Sequence, residues 1–136
     1  MRVRSPKLTI GQQVSIMGVD FAQFSYRRER NVPTWRGTLQ PSETSSLYVV
    51  KVIYPIPSSP KVWILSPKLE PNAPHRYEDD SLCLYHPDDR SWTADRFISK
   101  TIVPWTALWL AFYEMWLKSG VWYGPEAPHN GIKKAF

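Results

Sequence analysis

A chain of 136 residues, 43% of them hydrophobic and with seven Trp and seven Tyr, can build the core of one domain, expected to span 1–136. One cysteine excludes an internal disulfide, and with no bilayer-length apolar run and no charged-then-apolar leader, a soluble intracellular protein is expected. The +5 formal charge is scattered over Arg2, Arg4 and Lys7, Arg27, Arg28 and Arg30, and Lys133 and Lys134, without the interleaved aromatic platforms that nucleic acid as main partner would need.

In chain order, Leu8, Ile10, Val14, Met17 and Phe21 recur near the helical period, which predicts an amphipathic first helix over 9–21 despite Gly11 and Gly18. Residues 35–39, 47–54 and 62–65 are short runs of β-branched and aromatic residues and are predicted as strands. The gaps between them, 41–46 and 55–60, are rich in Pro and Ser, and gaps this short favour an antiparallel meander. In the middle strand Tyr48, Val50, Val52 and Tyr54 share one face. Leu47, Val49, Lys51 and Ile53 share the other, which carries the charge and should be partly wet.

Residues 66–91 hold four prolines, several acids and no sustained period, and are expected to form a long ordered loop with Cys83 near its middle. Thr93 is placed to cap a short helix ending at 102, and Pro104 to sit in the first turn of a second one running to 119. There Trp105, Leu108, Trp109, Phe112 and Trp116 are expected to form the buried stripe, and Gly120 the stop. The tail over 121–136 is irregular, with Trp122 and Tyr123 positioned to fold back on the core.

Several local sequences along this order resemble the ubiquitin-conjugating family. Trp35 followed by Pro41 is similar to its first-strand tryptophan and closing proline, and Ser59-Pro60-Lys61-Val62 to the segment that opens its third strand. Ser81-Leu82-Cys83-Leu84 resembles the motif around its active cysteine, and Trp92-Thr93-Ala94 its Trp-Ser-Pro. A narrower likeness runs over about 35–124, through His75-Arg76-Tyr77, Leu82-Cys83-Leu84-Tyr85, Thr101-Ile102-Val103-Pro104-Trp105, Trp109-Leu110, Tyr113-Glu114, Trp116-Leu117, Gly120 and Trp122. It resembles the stand-alone conjugating-like proteins of bacterial anti-phage CBASS operons. The resemblance implies an α+β fold of N-terminal helix, antiparallel β-meander, long cysteine-bearing loop and C-terminal helices, in the bacterial cytoplasm. It also implies a transferase that carries a partner's C-terminal carboxyl as a thioester on Cys83 and passes it to an amine. The implied partner is the C-terminal tail of a neighbouring cGAS/DncV-like nucleotidyltransferase.

A lone cysteine is more often a small buried hydrophobe than a nucleophile, and it is the loop position and flanking motif that point to Cys83 as catalytic. The family's His-Pro-Asn puts an asparagine eight residues before the cysteine, where this chain has Ala73-Pro74-His75. A histidine can donate to an oxyanion, lower a thiol's pKa or act as base, so the asparagine's role is carried to His75. The bland alternative is a loop histidine that only holds backbone. Asp79, Asp80, Asp88 and Asp89 would raise the thiol's pKa or recruit a basic acceptor, and turn roles are the simpler reading. His86 makes a Cys-x-x-His half-site with Cys83, and His75 or His129 could add to it, but with no second tight pair neither metal nor cofactor is expected. The chain has no phosphate-cradling glycine loop, so an activating enzyme in trans would have to supply the acyl group. Two other classes remain open: a non-catalytic scaffold that binds the nucleotidyltransferase, and a Cys/His-dependent deconjugating hydrolase.

Overall fold

The computed structural model describes residues 6–85, 91–125 and 132–133. Expectations that concern Arg2, Arg4, His86, Asp88, Asp89, His129 and Lys134 lie outside these residues. Helix α1, Ile10–Asp20, starts at Thr9, whose hydroxyl accepts from the Gln12 amide at 3.1 Å while the Gln12 side chain accepts from the Thr9 amide at 2.8 Å. This reciprocal box satisfies two of the orphan donors of the first turn. Met17 lies in the core, and Ile10, Val14 and Phe21 pack against it as their spacing predicts. Gln13 is buried with them because both ends of its amide are used. It donates to the Arg96 carbonyl and accepts from the Ile98 amide, each at 2.9 Å.

Four strands follow as an antiparallel meander: β1 Ser25–Glu29, β2 Val32–Leu39, β3 Tyr48–Ile53 and β4 Lys61–Ser66, side by side in that order. The sequence reading reaches β2, β3 and β4 to within three residues and misses β1. That strand reads Ser-Tyr-Arg-Arg-Glu, with one large apolar residue, so no alternation marks it. It is an edge strand, where exposed charge is tolerated and discourages further pairing. Its two-residue turn, Arg30-Asn31, has positive φ at both positions (50° and 64°), the geometry that suits the twist of a tight hairpin. In β3 the predicted inner face is buried, with Tyr48, Val50 and Val52 at most 3% exposed and Tyr54 continuing it just beyond the strand.

The expected helix over 93–102 is replaced by turns and a 3-10 turn at Ile98–Lys100. A helix would need the Ile98 amide to bond the Ala94 carbonyl. That carbonyl already accepts from Leu8 at 2.8 Å, and the Ile98 amide goes to Gln13. Tertiary partners thus take the groups an α-helix would use, and among the described residues the plural C-terminal helices of the sequence reading reduce to one. This helix, α2, runs from Ile102 to Ser119 and stops at Gly120, whose φ of 75° and amide bond to the Trp116 carbonyl make the left-handed cap.

The buried side of α2 is also corrected: it is Ile102, Val103, Thr106, Trp109, Leu110 and Tyr113, whereas Leu108 is 53% exposed and Trp105, Phe112 and Trp116 are half-buried. The helix is apolar nearly all round, so periodicity alone could not choose the face. Glu114 ties α2 to the sheet, accepting from Ser45 at 2.7 Å and from the Tyr48 hydroxyl at 2.8 Å. Burial and that carboxylate hold the Tyr48 phenol well above its usual range, so it stays a donor. Two further short strands, β5 Arg76–Tyr77 and β6 Ile132–Lys133, pair antiparallel.

Candidate active site

The segment read as one long loop contains a tight hairpin that determines where Cys83 lies. Asp79 and Asp80 make its turn. The Asp80 amide bonds the Tyr77 carbonyl at 2.9 Å, and Asp80 takes a φ of 71°, a conformation aspartate tolerates better than most residues. The Asp79 carboxylate accepts from the Ser81 amide at 3.0 Å, the Ser81 hydroxyl at 2.6 Å and Lys61. Burial pushes this carboxyl up, but the Lys61 ammonium and the Ser81 donors outweigh it and hold it at about 2. From that turn the strands run back in register. The Tyr77 amide bonds the Ser81 carbonyl, and the Cys83 amide bonds the His75 carbonyl, both at 2.9 Å.

Two anchors dock the hairpin. The Leu82 amide bonds the Val62 carbonyl of β4 at 2.9 Å, and the Trp63 indole donates to the Asp79 carbonyl at 2.8 Å. At the base, Arg76 is 6% exposed and its guanidinium donates to the carbonyls of Glu70 and Pro71 at 3.0 and 2.8 Å, with Asp80 at 3.5 Å. Arginine suits this position because its fork reaches several acceptors at once.

His75 and Cys83, eight residues apart in sequence, are therefore backbone neighbours across the hairpin. The His75 carbonyl also accepts from the Trp109 indole of α2 at 3.2 Å, and its ring lies against Trp122, with centroids 4.9 Å apart. Trp122 folds back as expected, onto His75, Trp109 and Phe112, while Tyr123 stays exposed. His75 holds a φ of 58°, in the left-handed region that asparagine adopts more readily than most residues.

Cys83 is 7% exposed. Its sulfur lies 3.3 Å from the Tyr85 carbonyl, to which the thiol donates, and 3.5 Å from the Tyr77 hydroxyl. Burial pushes the thiol's pKa up, and hydrogen bonding with Tyr77 and the Tyr85 backbone draws it partly back. Beside this point opens a pocket of about 540 Å³ whose walls include Pro55, Pro60, Trp63, Tyr77, Leu84 and Tyr85. Sequence reasoning quoted Tyr77 and Tyr85 without giving either a role at the sulfur. The available signal was Asp79-Asp80 as a turn between two β-forming runs, which puts 75 opposite 83 and 77 opposite 81. Among the described residues no cluster of His, Cys, Asp or Glu could hold a metal, and no helix is long and apolar enough to cross a membrane.

The arrangement can present a thiolate, once formed, beside a hydroxyl donor and an apolar-walled pocket. A family model described as Type II CBASS E2 protein matches residues 13–130, and thus contains every group described around Cys83. No curated protein matches the chain. With that match over most of its length and an α+β fold compatible with it, this chain belongs to the Type II CBASS E2 protein family.

Proposed function

We propose that the protein is a conjugating-type acyltransferase of CBASS defence: Cys83 accepts the C-terminal carboxyl of a protein as a thioester and passes it to an amine. The observation that carries this reading is the family match across Cys83, the chain's one thiol. A thioester suits the task because it is reactive enough toward a lysine amine while surviving in water, and cysteine is a strong nucleophile near neutral pH. The partner fitting the CBASS context is a cGAS/DncV-like nucleotidyltransferase offering its C-terminal tail, with an activating enzyme in trans. An extended tail ending at the sulfur would have the 540 Å³ pocket beside it for its apolar side chains.

Incubated with the partner, wild-type protein is expected to form a thiol-sensitive adduct, and Cys83→Ser one that resists thiols and is cleaved by hydroxylamine. Full conjugation and full phage protection by Cys83→Ala would end the catalytic reading. The burial of Cys83 and its raised pKa favour a second reading, a scaffold that binds the nucleotidyltransferase without chemistry. Under it Cys83→Ala protects as well as wild type and no adduct forms with either.

A further inference from the structure

We propose that Tyr77 is a catalytic residue whose hydroxyl donates a hydrogen bond to the Cys83 sulfur whenever that sulfur carries negative charge. The inference rests on the thioester reading and deepens it by naming the group that makes a buried sulfur usable. Tyr77 stands two residues along the hairpin from His75 and reaches the sulfur at 3.5 Å, a distance within which sulfur, with its large radius, still hydrogen-bonds. The same hydroxyl is 3.5 Å from the Tyr85 carbonyl, a long and weak contact for oxygen, so turning toward the sulfur forfeits little. The thiol at rest donates to that carbonyl at 3.3 Å. After deprotonation it has nothing to donate, and the carbonyl then faces the thiolate as a like partial charge, which gives a bond donated by the Tyr77 hydroxyl more weight.

Two further facts favour the phenol. Burial, and then the bond to Cys83, hold the Tyr77 phenol well above its usual range, so it keeps its proton near neutral pH. Among the described residues, the other titratable groups near by make contacts of their own. His75 meets Cys83 through its backbone and lies against Trp122. Asp79 and Asp80 face Lys61 and Arg76, and the Tyr85 phenol is held up by burial against a bond with Ser59.

The sulfur is charged twice in the cycle. On loading, the thiol proton leaves to solvent, the thiolate attacks the carbonyl of an activated acyl donor, an acyl adenylate or another thioester, and the donor's leaving group departs with its electron pair. On transfer, an amine attacks the thioester carbonyl, the C–S bond breaks toward sulfur, and the new amide's nitrogen loses one proton to solvent. Tyr77 lends a hydrogen bond to the nucleophile in the first step and to the leaving group in the second, and its proton stays on oxygen throughout.

Because Cys83 is the only cysteine, alkylation by iodoacetamide reports this thiolate alone and needs neither partner nor acyl donor. Tyr77→Phe, which removes one oxygen, is expected to slow alkylation at pH 7 roughly tenfold and to move the half-point of the pH profile upward, with the alkaline plateau unchanged. Single-turnover discharge of preloaded thioester to a lysine amine should slow by a similar factor, and Tyr48→Phe, which removes a buried hydroxyl bonded to Glu114, should alter neither. A Tyr77→Phe profile superimposable on wild type overturns the inference, as does an equal shift in Tyr48→Phe, which would report loss of a buried hydroxyl in general. If Tyr77→Phe loses its melting transition, 3-fluorotyrosine at position 77 replaces it. Its more acidic hydroxyl must move the half-point downward, and an unmoved half-point overturns the inference. A flat Tyr77→Phe result beside Cys83-dependent conjugation defeats this inference alone, whereas a shifted profile in a protein that never conjugates defeats the thioester reading alone.

Discussion

His75 occupies a position where two demands meet. Its carbonyl closes the hairpin to Cys83 and takes the Trp109 indole, while its ring rests on Trp122. A side chain kept in the left-handed region at φ 58° is strained by roughly 1–2 kcal/mol relative to ordinary backbone, and such strain often accompanies function. We expect His75→Ala to slow acyl transfer about a hundredfold, the loss typical of an oxyanion donor, with melting temperature and partner affinity nearly unchanged. His75→Asn should recover part of the rate, because an amide can donate to the same oxyanion and asparagine tolerates this backbone. If the ring is instead the general base, Asn does not rescue, and the rate falls as pH drops through the histidine's pKa. Should His75→Ala unfold the protein or leave single-turnover transfer untouched, the residue serves the hairpin only. The eight-residue offset made this position legible in the sequence. What it contacts was not, because a contact between ring and indole across 47 residues leaves no local pattern.

At the level of elements, α2 separates what periodicity can do from what packing adds. Its start, end and cap were readable from Pro104 and Gly120, but its buried side is rotated from the expected aromatic stripe toward Ile102, Val103, Thr106, Leu110 and Tyr113. Large aromatics can lie half-buried along a flank, as Trp105, Phe112 and Trp116 do, while small branched residues and a threonine fit the tightest contact. Thr106 can be buried there because its hydroxyl bonds the Ile102 carbonyl at 2.7 Å. Leu110→Ala should therefore destabilise by about 2–5 kcal/mol, and Leu108→Ala by less than about 0.5 kcal/mol. Urea unfolding of the two variants checks this pair, and equal losses would put the helix in a different rotation. The missing helix over 93–102 has the opposite lesson. Thr93 does form a local bond, with the Asp95 carboxylate, but Gln13 and Leu8 claim the backbone groups a helix would use.

Across the whole molecule, the cysteine-bearing hairpin is held to the sheet by Val62, Trp63 and the Lys61–Asp79 pair on one side, and to α2 by Trp109 on the other. Asp79 makes this attachment sensitive to acid. Its carboxyl, held at about 2, lies below the value of about 3.9 expected in the unfolded chain, so its contribution is full above the higher value and is lost as pH falls toward the lower. The pair is about two-fifths exposed, so screening keeps the contribution to about 1 kcal/mol or less. Asp79→Asn should thus be less stable than wild type near neutral pH, with the difference closing between about pH 4 and pH 2. A gap constant over that range, measured by urea unfolding, would mean the carboxylate's charge is not what holds the turn.

The meander from β2 to β4, the first helix and its cap, the end of α2 and the offset between His75 and Cys83 were all determined by residues close together in the chain. Their signals are alternation, helical period, capping chemistry and turn residues, each of which acts within about one or two turns or strands of sequence. The local Asp79-Asp80 turn likewise sets the register that brings Tyr77 near Cys83. Tertiary structure alone decided the charged edge strand β1, the loss of the 93–102 helix, the rotation of α2 and the docking of the hairpin. Each of these turns on a partner remote in sequence: β2 for β1, Gln13 for Ile98, the core for Leu110, and Val62 and Trp109 for the hairpin.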